Sequence, residues 1–153
     1  MKIARFVIAL LTLAFTASGA FAQEADQLVG VWEPSHGKAR VKIEKIGEKY
    51  YGKIVWLKEP NDETTGEPKT DKNNPDPALR ENKLRGYRIL KDFTFKGDGE
   101  YADGTIYDPE NGNTYSSTIK MTDANTLDIR GYIGVSAFGR TDVWKRLSIP
   151  SKN

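Results

Sequence analysis

Apolar and polar residues alternate with a period of two through most of the chain beyond residue 23. "ARVKIEKIG" sets Ala39, Val41 and Ile43 against Arg40, Lys42 and Glu44, the pattern of a strand with one face buried and one in water. "KYYGKIVWLKE" follows the Gly47-Glu48 turn, with Tyr51, Val55 and Leu57 opposed to Gly52, Ile54 and Trp56, so the two runs predict a hairpin. Further strand-like runs are "LRGYRILKDF", "TFKGDGEY", "DGTIYD", "NTYSSTIKMT", "TLDIRGYIGV" and "RTDVWKRL". Turn residues part them, among them Gly97-Asp98-Gly99, the 108–113 stretch, Asp123-Ala124-Asn125 and Ser136-Ala137-Phe138-Gly139. Short runs at about 8–12-residue spacing, about eight or nine strands in all, predict an antiparallel meander. Closure into a barrel is favoured because it leaves no exposed edge strand.

One stretch breaks the pattern. "EPNDETTGEPKTDKNNPDPALREN", residues 59–82, is polar and holds four of the seven prolines. A loop this long tends to be functional or disordered. Within it Asp76 is placed to cap a short helical turn that starts with Pro77. No longer helix is expected in the chain from residue 23 onward, and no internal repeat or second domain is visible.

The first residues read as a signal peptide. Lys2 and Arg5 precede an apolar run from Phe6 to Phe15, and small residues end in Ala20-Phe21-Ala22, an A-x-A cleavage site. The apolar run is shorter than the ~20 residues that span a bilayer, and no cysteine follows it to carry a lipid. The expected organisation is a cleaved segment over residues 1–22 and one β-barrel domain over 23–153. It implies a periplasmic or secreted protein with no membrane span after cleavage. Losing Lys2 and Arg5 leaves 21 basic residues against 21 acidic ones. That balance argues against a nucleic-acid partner, which would require a clustered basic excess. The chain has no cysteine, which excludes disulfides, thiol catalysis and cysteine metal sites.

Candidate chemistry is sparse. "DGTIYDPENGNTY" crowds Asp103, Asp108, Glu110, Asn111 and Asn113, but a calcium loop counted from Asp108 would put glycine at the wrong place and Ile119 where a glutamate belongs. "NDETTG" fails in the same way, with Lys72 at that position. Both read as turns, and no metal or cofactor is expected. His36 is the single histidine, so a three-histidine metal centre is impossible. Ser136 lacks the spacing of a nucleophile elbow. Asp98 with Glu100 is the nearest thing to a catalytic carboxylate pair, and nothing in the sequence selects it over a turn and a solvated strand. The aromatic residues say more. Trp56, Tyr87, Tyr107, Tyr115 and Tyr132 lie in or beside strands and are the candidate ligand-binding residues, if they line a barrel's interior rather than fill it.

Gly30 and Trp32 in "GVWEP" and Arg140, Trp144 and Arg146 in "GRTDVWKR" pair a Gly-x-Trp at the start of the barrel with arginines on its closing strand. This resembles the lipocalin (calycin) signature, in which the tryptophan plugs one end of the barrel and an arginine packs over it. Either Arg140 or Arg146 fits that part here. The seven stretches "GVWEP", "GKIVWL", "DKNNPDPALR", "LRGYRILKDF", "DGTIYDPENGNTY", "RGYIG" and "GRTDVWKR" occur in the order found in a family of exported bacterial proteins known only as a domain of unknown function. The resemblance implies an all-β, antiparallel lipocalin-like barrel of eight or nine strands with at most one short helical turn. It brings no established activity.

The sequence thus predicts an exported binding protein for a small, mostly apolar or amphipathic ligand, and not an enzyme in the first instance. Two alternatives stay open: a carboxylate-dependent enzyme acting on a small molecule, and an envelope or host-interaction protein with a filled barrel. Oligomeric state is not legible.

Overall fold

The alternation folds into eight antiparallel strands: β1 (Gly30–Glu33), β2 (Ala39–Ile46), β3 (Lys49–Leu57), β4 (Arg88–Gly97), β5 (Glu100–Asp108), β6 (Asn113–Asp123), β7 (Thr126–Tyr132) and β8 (Arg140–Arg146). A computed structural model describes residues 19–148. Each strand pairs with the next, and β1 pairs with β8 through Trp32 with Arg146 and Glu33 with Lys145, which closes the barrel. Of the expected signal segment, residues 1–18 lie outside the described residues. Residues 19–25 are helical and run into a 3-10 turn over Asp26–Leu28. Among the described residues no helix is long and apolar enough to cross a membrane.

The turns divide the barrel into two ends. The short turns after β2, β4 and β6 gather at one end with the start of β1 and the end of β8. The longer connections after β1, β3 and β7, with the turn after β5, gather at the other. In the loop after β3, Pro77–Leu79 forms the expected helical turn, capped by the Asp76 carboxylate accepting from Ala78 N at 2.9 Å.

Bulges decide which side chains point inward. Arg40 pairs with Trp56 and Val41 with Ile54, so Val55 is an extra residue on β3 and shifts the phase of everything after it. Tyr50 and Ile54 are buried inside, while Tyr51 and Val55 are only partly buried. Trp56 is carried to the outer face beside Arg40, whose guanidinium sits 4.4 Å from its ring centre. The strand holds Tyr50-Tyr51 and Ile54-Val55 as adjacent apolar pairs, so periodicity alone cannot choose between the two faces.

Two glycines in strand interiors make room for neighbours. A Cβ on Gly104 would lie 2.5 Å from the Phe93 ring, and one on Gly52 would lie 2.8 Å from Leu90. Phe93 and Leu90 therefore lie flat against β5 and β3 in the middle of the barrel. Both are 1 % exposed, and they belong to a core that continues through Ile43, Tyr50, Tyr101, Ile119 and Leu127.

Candidate functional site

The end at which β1 starts is sealed. Trp32 is fully buried there and donates its indole N–H to the Leu28 carbonyl at 3.0 Å. Arg146 lies over the indole, its Cζ 4.1 Å from the ring centre. Its N–H groups donate to the carbonyls of Ala124 at 2.8 Å, Val29 at 3.0 Å and Gln27. A Cβ at Gly30 would stand 2.4 Å from Arg146 Nη1, so the glycine leaves the guanidinium its place. Tyr101 donates to the Ala25 carbonyl at 2.6 Å and Tyr50 to Asp26 at 2.8 Å, which ties the helical entry segment over the plug. Of the two candidate arginines, Arg146 is the one that packs on Trp32. Arg140 stands at the opposite end.

That opposite end opens into a cavity of about 1280 Å³. Its inner walls include Val41, Ile54, Leu57, Ile106, Ile129 and Trp144 from strands β2, β3, β5, β7 and β8. Charged residues of three of the four connections rim it, among them Lys38, Glu59, Lys72 and Glu110. Several rim charges pair: Lys38 with Glu110 at 3.2 Å, Lys69 with Glu59 at 3.3 Å and Lys72 with Asp62 at 3.6 Å. Such exposed pairs contribute about 0–1 kcal/mol each, and they set polarity at the mouth more than stability.

The 59–82 loop is built onto the barrel. Asp71 within it is fully buried; it accepts from the Tyr107 hydroxyl at 2.6 Å and from the Asn74 side-chain amide at 2.7 Å. Asn74 also donates to the Tyr87 hydroxyl at 3.1 Å, and the Tyr87 and Tyr107 rings meet at 5.6 Å. Asn73 donates to the carbonyls of Pro109 and Glu110, both at 3.0 Å. Gly112 is held at φ 73 directly beneath Asn73, where a Cβ would lie 2.0 Å from its carbonyl oxygen. Burial first, then the hydrogen bond to Asp71 and its negative charge, hold the Tyr107 hydroxyl well above the usual tyrosine range. Burial does the same for Tyr87, followed by the charge of Asp71.

The aromatic candidates therefore divide. Tyr107, Tyr115 and Tyr132 line the cavity. Tyr107 spends its hydroxyl on Asp71, and the Tyr115 hydroxyl accepts from Asn111 at 3.1 Å. Tyr87 stands behind the wall, against Tyr107. Trp56 is outside the barrel, on the side opposite to a ligand, because the bulge at Val55 turns it over. Trp144, expected as a closing residue, forms cavity wall; it is 3 % exposed and donates its N–H to Asp142 at 2.8 Å.

Asp142 also accepts from the Ser35 hydroxyl, and it lines the cavity together with His36 and Arg140. His36 Nδ1 accepts from Lys38 N at 3.0 Å. Ser35 bonds the carboxylate directly, with no histidine between them, so no relay for nucleophilic attack is assembled. Asp98 and Glu100 lie at the sealed end, where the Lys120 ammonium donates to the Asp98 carbonyl at 2.7 Å and to the Glu100 carboxylate at 3.1 Å. The two suspected calcium stretches are turns. Asp62 accepts from Thr64 N and Thr65 N, and Asp108 from Glu110 N and the Asn111 amide.

Sequence reasoning missed Asp71, Asn74, Asp142 and the lumen residues Ile106, Ile129 and Gly131. Gly131 carried a readable signal, since an isolated strand glycine marks a close approach or an open space. Asp71 carried none, because its burial depends on contacts made far along the chain.

Comparison with known proteins agrees with this architecture. The chain matches the model of a family described as "Uncharacterized protein conserved in bacteria (DUF2147)" over residues 30–146, the span from the first residue of β1 to the last of β8. Among solved structures it is similar to protein HP1028 from the human pathogen Helicobacter pylori, described as belonging to the lipocalin family. The identity is 27%, the TM-score 0.68, and the match covers 79% of this chain and 83% of that one. The expected lipocalin-like barrel is the fold found. The octameric penicillin-binding protein homologue from Pyrococcus abyssi also matches, at 10% identity and a TM-score of 0.43 over 82% of this chain and 20% of that one, a likeness too slight to carry an argument. No curated protein matches.

Proposed function

We propose that this chain, which belongs to the bacterial family of uncharacterized proteins matched by its barrel, is an exported carrier of a small, mostly apolar ligand. The observation that carries the reading is the cavity of about 1280 Å³, sealed at one end and walled by aliphatic and aromatic side chains. Pockets for small molecules commonly occupy about 300–1,000 Å³ and combine apolar walls with a few placed polar groups. Here Asp142, His36 and Arg140 are those groups, so the ligand is amphipathic, with its apolar part in the lumen and its polar end towards the mouth. The likeness to a protein described as a lipocalin supports the same reading by analogy of fold.

Export rests on the charged, apolar and small-residue order of residues 1–22. Amino-terminal sequencing of the protein from a bacterial envelope fraction is expected to start at Gln23; a start at Met1 would remove this part of the reading.

Binding is tested by titrating the neutral apolar dye N-phenyl-naphthylamine. Saturable fluorescence enhancement is expected. In Gly131→Leu the affinity should fall at least about tenfold, because the new side chain would enter the lumen beside Ile106 and Tyr115. Non-saturable enhancement, or affinity unaffected by that variant, would refute a ligand-holding lumen.

A further inference from the structure

We infer that the Ser117 hydroxyl is a ligand contact at the inner end of the lumen, and that the ligand meets it with a neutral oxygen. The inference deepens the carrier reading and rests on it. Along β6 the inner face carries Tyr115, Ser117 and Ile119 in turn, so one hydroxyl stands between an aromatic and an aliphatic side chain. Ser117 is 1 % exposed, and its Oγ has no hydrogen-bond partner. Among the described residues it is the only buried side-chain nitrogen or oxygen of which this is true. Asp71 and Asn74, also buried, find their partners within the chain. A buried hydroxyl left unpaired is costly and calls for a partner; for Ser117 the fold supplies none.

The neighbours of Ser117 place it where the lumen begins. It pairs with Gly131 on β7 and with Gly104 on β5, so no side chain flanks it on either strand. Gly131 and Tyr115 belong to the cavity wall, as do Ile106, which pairs with Tyr115, and Ile129, which pairs with Ile119. A Cβ at Gly131 would have Ile106 as its nearest neighbour at 3.4 Å, so that side of the serine has room. On the other side the Phe93 ring lies against Gly104 and forms a floor. The hydroxyl stands at the step between packed core and open lumen, and the staggered positions of χ1 let it reach the Gly131 side. None of these neighbours carries a charge, so an ionised group would give up its hydration here without a counter-ion. A neutral carbonyl or hydroxyl oxygen suits the position. The ligand is then polar at both ends, with one end at the mouth, a single oxygen at the floor and hydrocarbon between.

The test uses two neutral probes of similar shape, 2-acetylnaphthalene and 2-ethylnaphthalene, which differ by a carbonyl oxygen at the tip. Each is used to displace N-phenyl-naphthylamine from the protein and from Ser117→Ala. The preference for the ketone over the hydrocarbon should fall about three- to tenfold in the variant, with the hydrocarbon's own affinity unchanged. Without ligand, Ser117→Ala should unfold at a denaturant midpoint no lower than that of the parent, since it discards a hydroxyl that the fold leaves unpaired. An equal preference in both proteins would overturn the inference and leave the carrier reading standing. So would a clearly lower midpoint for Ser117→Ala, which would show the hydroxyl to be satisfied before any ligand arrives. Failure of the dye to saturate would remove the carrier reading and this inference with it.

Discussion

The two ends of this barrel are built by opposite means. At the sealed end one large ring, Trp32, fills the bore, and Arg146 satisfies three carbonyls while lying on it. At the open end no single residue dominates. A long loop is fastened by one buried carboxylate, Asp71, and two asparagines, Asn73 and Asn74, and what they enclose is space. The contrast separates closure from capacity: the sealed end holds the barrel shut, and the open end shapes the lumen.

The largest effect should come from breaking the seal. Trp32→Ala removes a fully buried indole and is expected to cost about 3–5 kcal/mol, read as a lower midpoint in denaturant. The folded fraction should still bind N-phenyl-naphthylamine, since Trp32 is not cavity wall. An unchanged midpoint would mean that the plug carries no load.

Asp71→Ala attacks the other end. It leaves the Tyr107 hydroxyl and the Asn74 amide without their buried partner, for about 1–3 kcal/mol. Unlike the plug variant it should also speed dye release, measured by stopped flow, because the 59–82 loop loses its fastening. Unchanged release would show that the loop does not govern the mouth.

Raising the pH should strain both ends together. Burial, aided by neighbouring carboxylates, holds Tyr50 at the sealed end and Tyr107 at the open end above their ordinary values, and burial does so for Tyr101. Their contribution to stability is complete below the unfolded-chain value of about 10 and is lost as pH rises above it, when the unfolded chain ionises first. Tyrosinate absorbance from these residues should therefore appear together with unfolding in an alkaline titration. Acid works in the opposite sense. The Tyr50 hydroxyl and Lys45 hold Asp26 below the carboxylate range, and the Thr64 and Thr65 amides do the same for Asp62. What they contribute is present at neutral pH and falls away below about pH 4.

The smallest effect should come from Trp56→Ala. On the outer face it loses a partly exposed contact with Arg40, about 0.5–1 kcal/mol, and dye affinity should not change. A marked loss of affinity would return Trp56 to the lumen and refute the bulge at Val55.

The order of these effects mirrors what the sequence could show. The strands were legible because alternation is local, and the cap at Asp76 because its partner, Ala78, is two residues away. The Gly-x-Trp and the closing arginines were legible as a pair, but the choice of Arg146 needed the register of β8 against β1. Bulges were not legible: Val55 sits in a run of apolar residues that reads equally well in either phase. The fastening of the long loop was the least visible, since Asp71 meets Tyr107 across 36 positions of sequence and lies in a stretch whose composition suggests only solvent.

Native mass spectrometry of the protein purified from a bacterial envelope, before and after solvent extraction, tests the carrier reading most directly. The account predicts a reproducible adduct of small-molecule mass that extraction removes and that Gly131→Leu fails to retain. A bare polypeptide mass from the envelope, with the extract restoring no adduct on mixing, would contradict it.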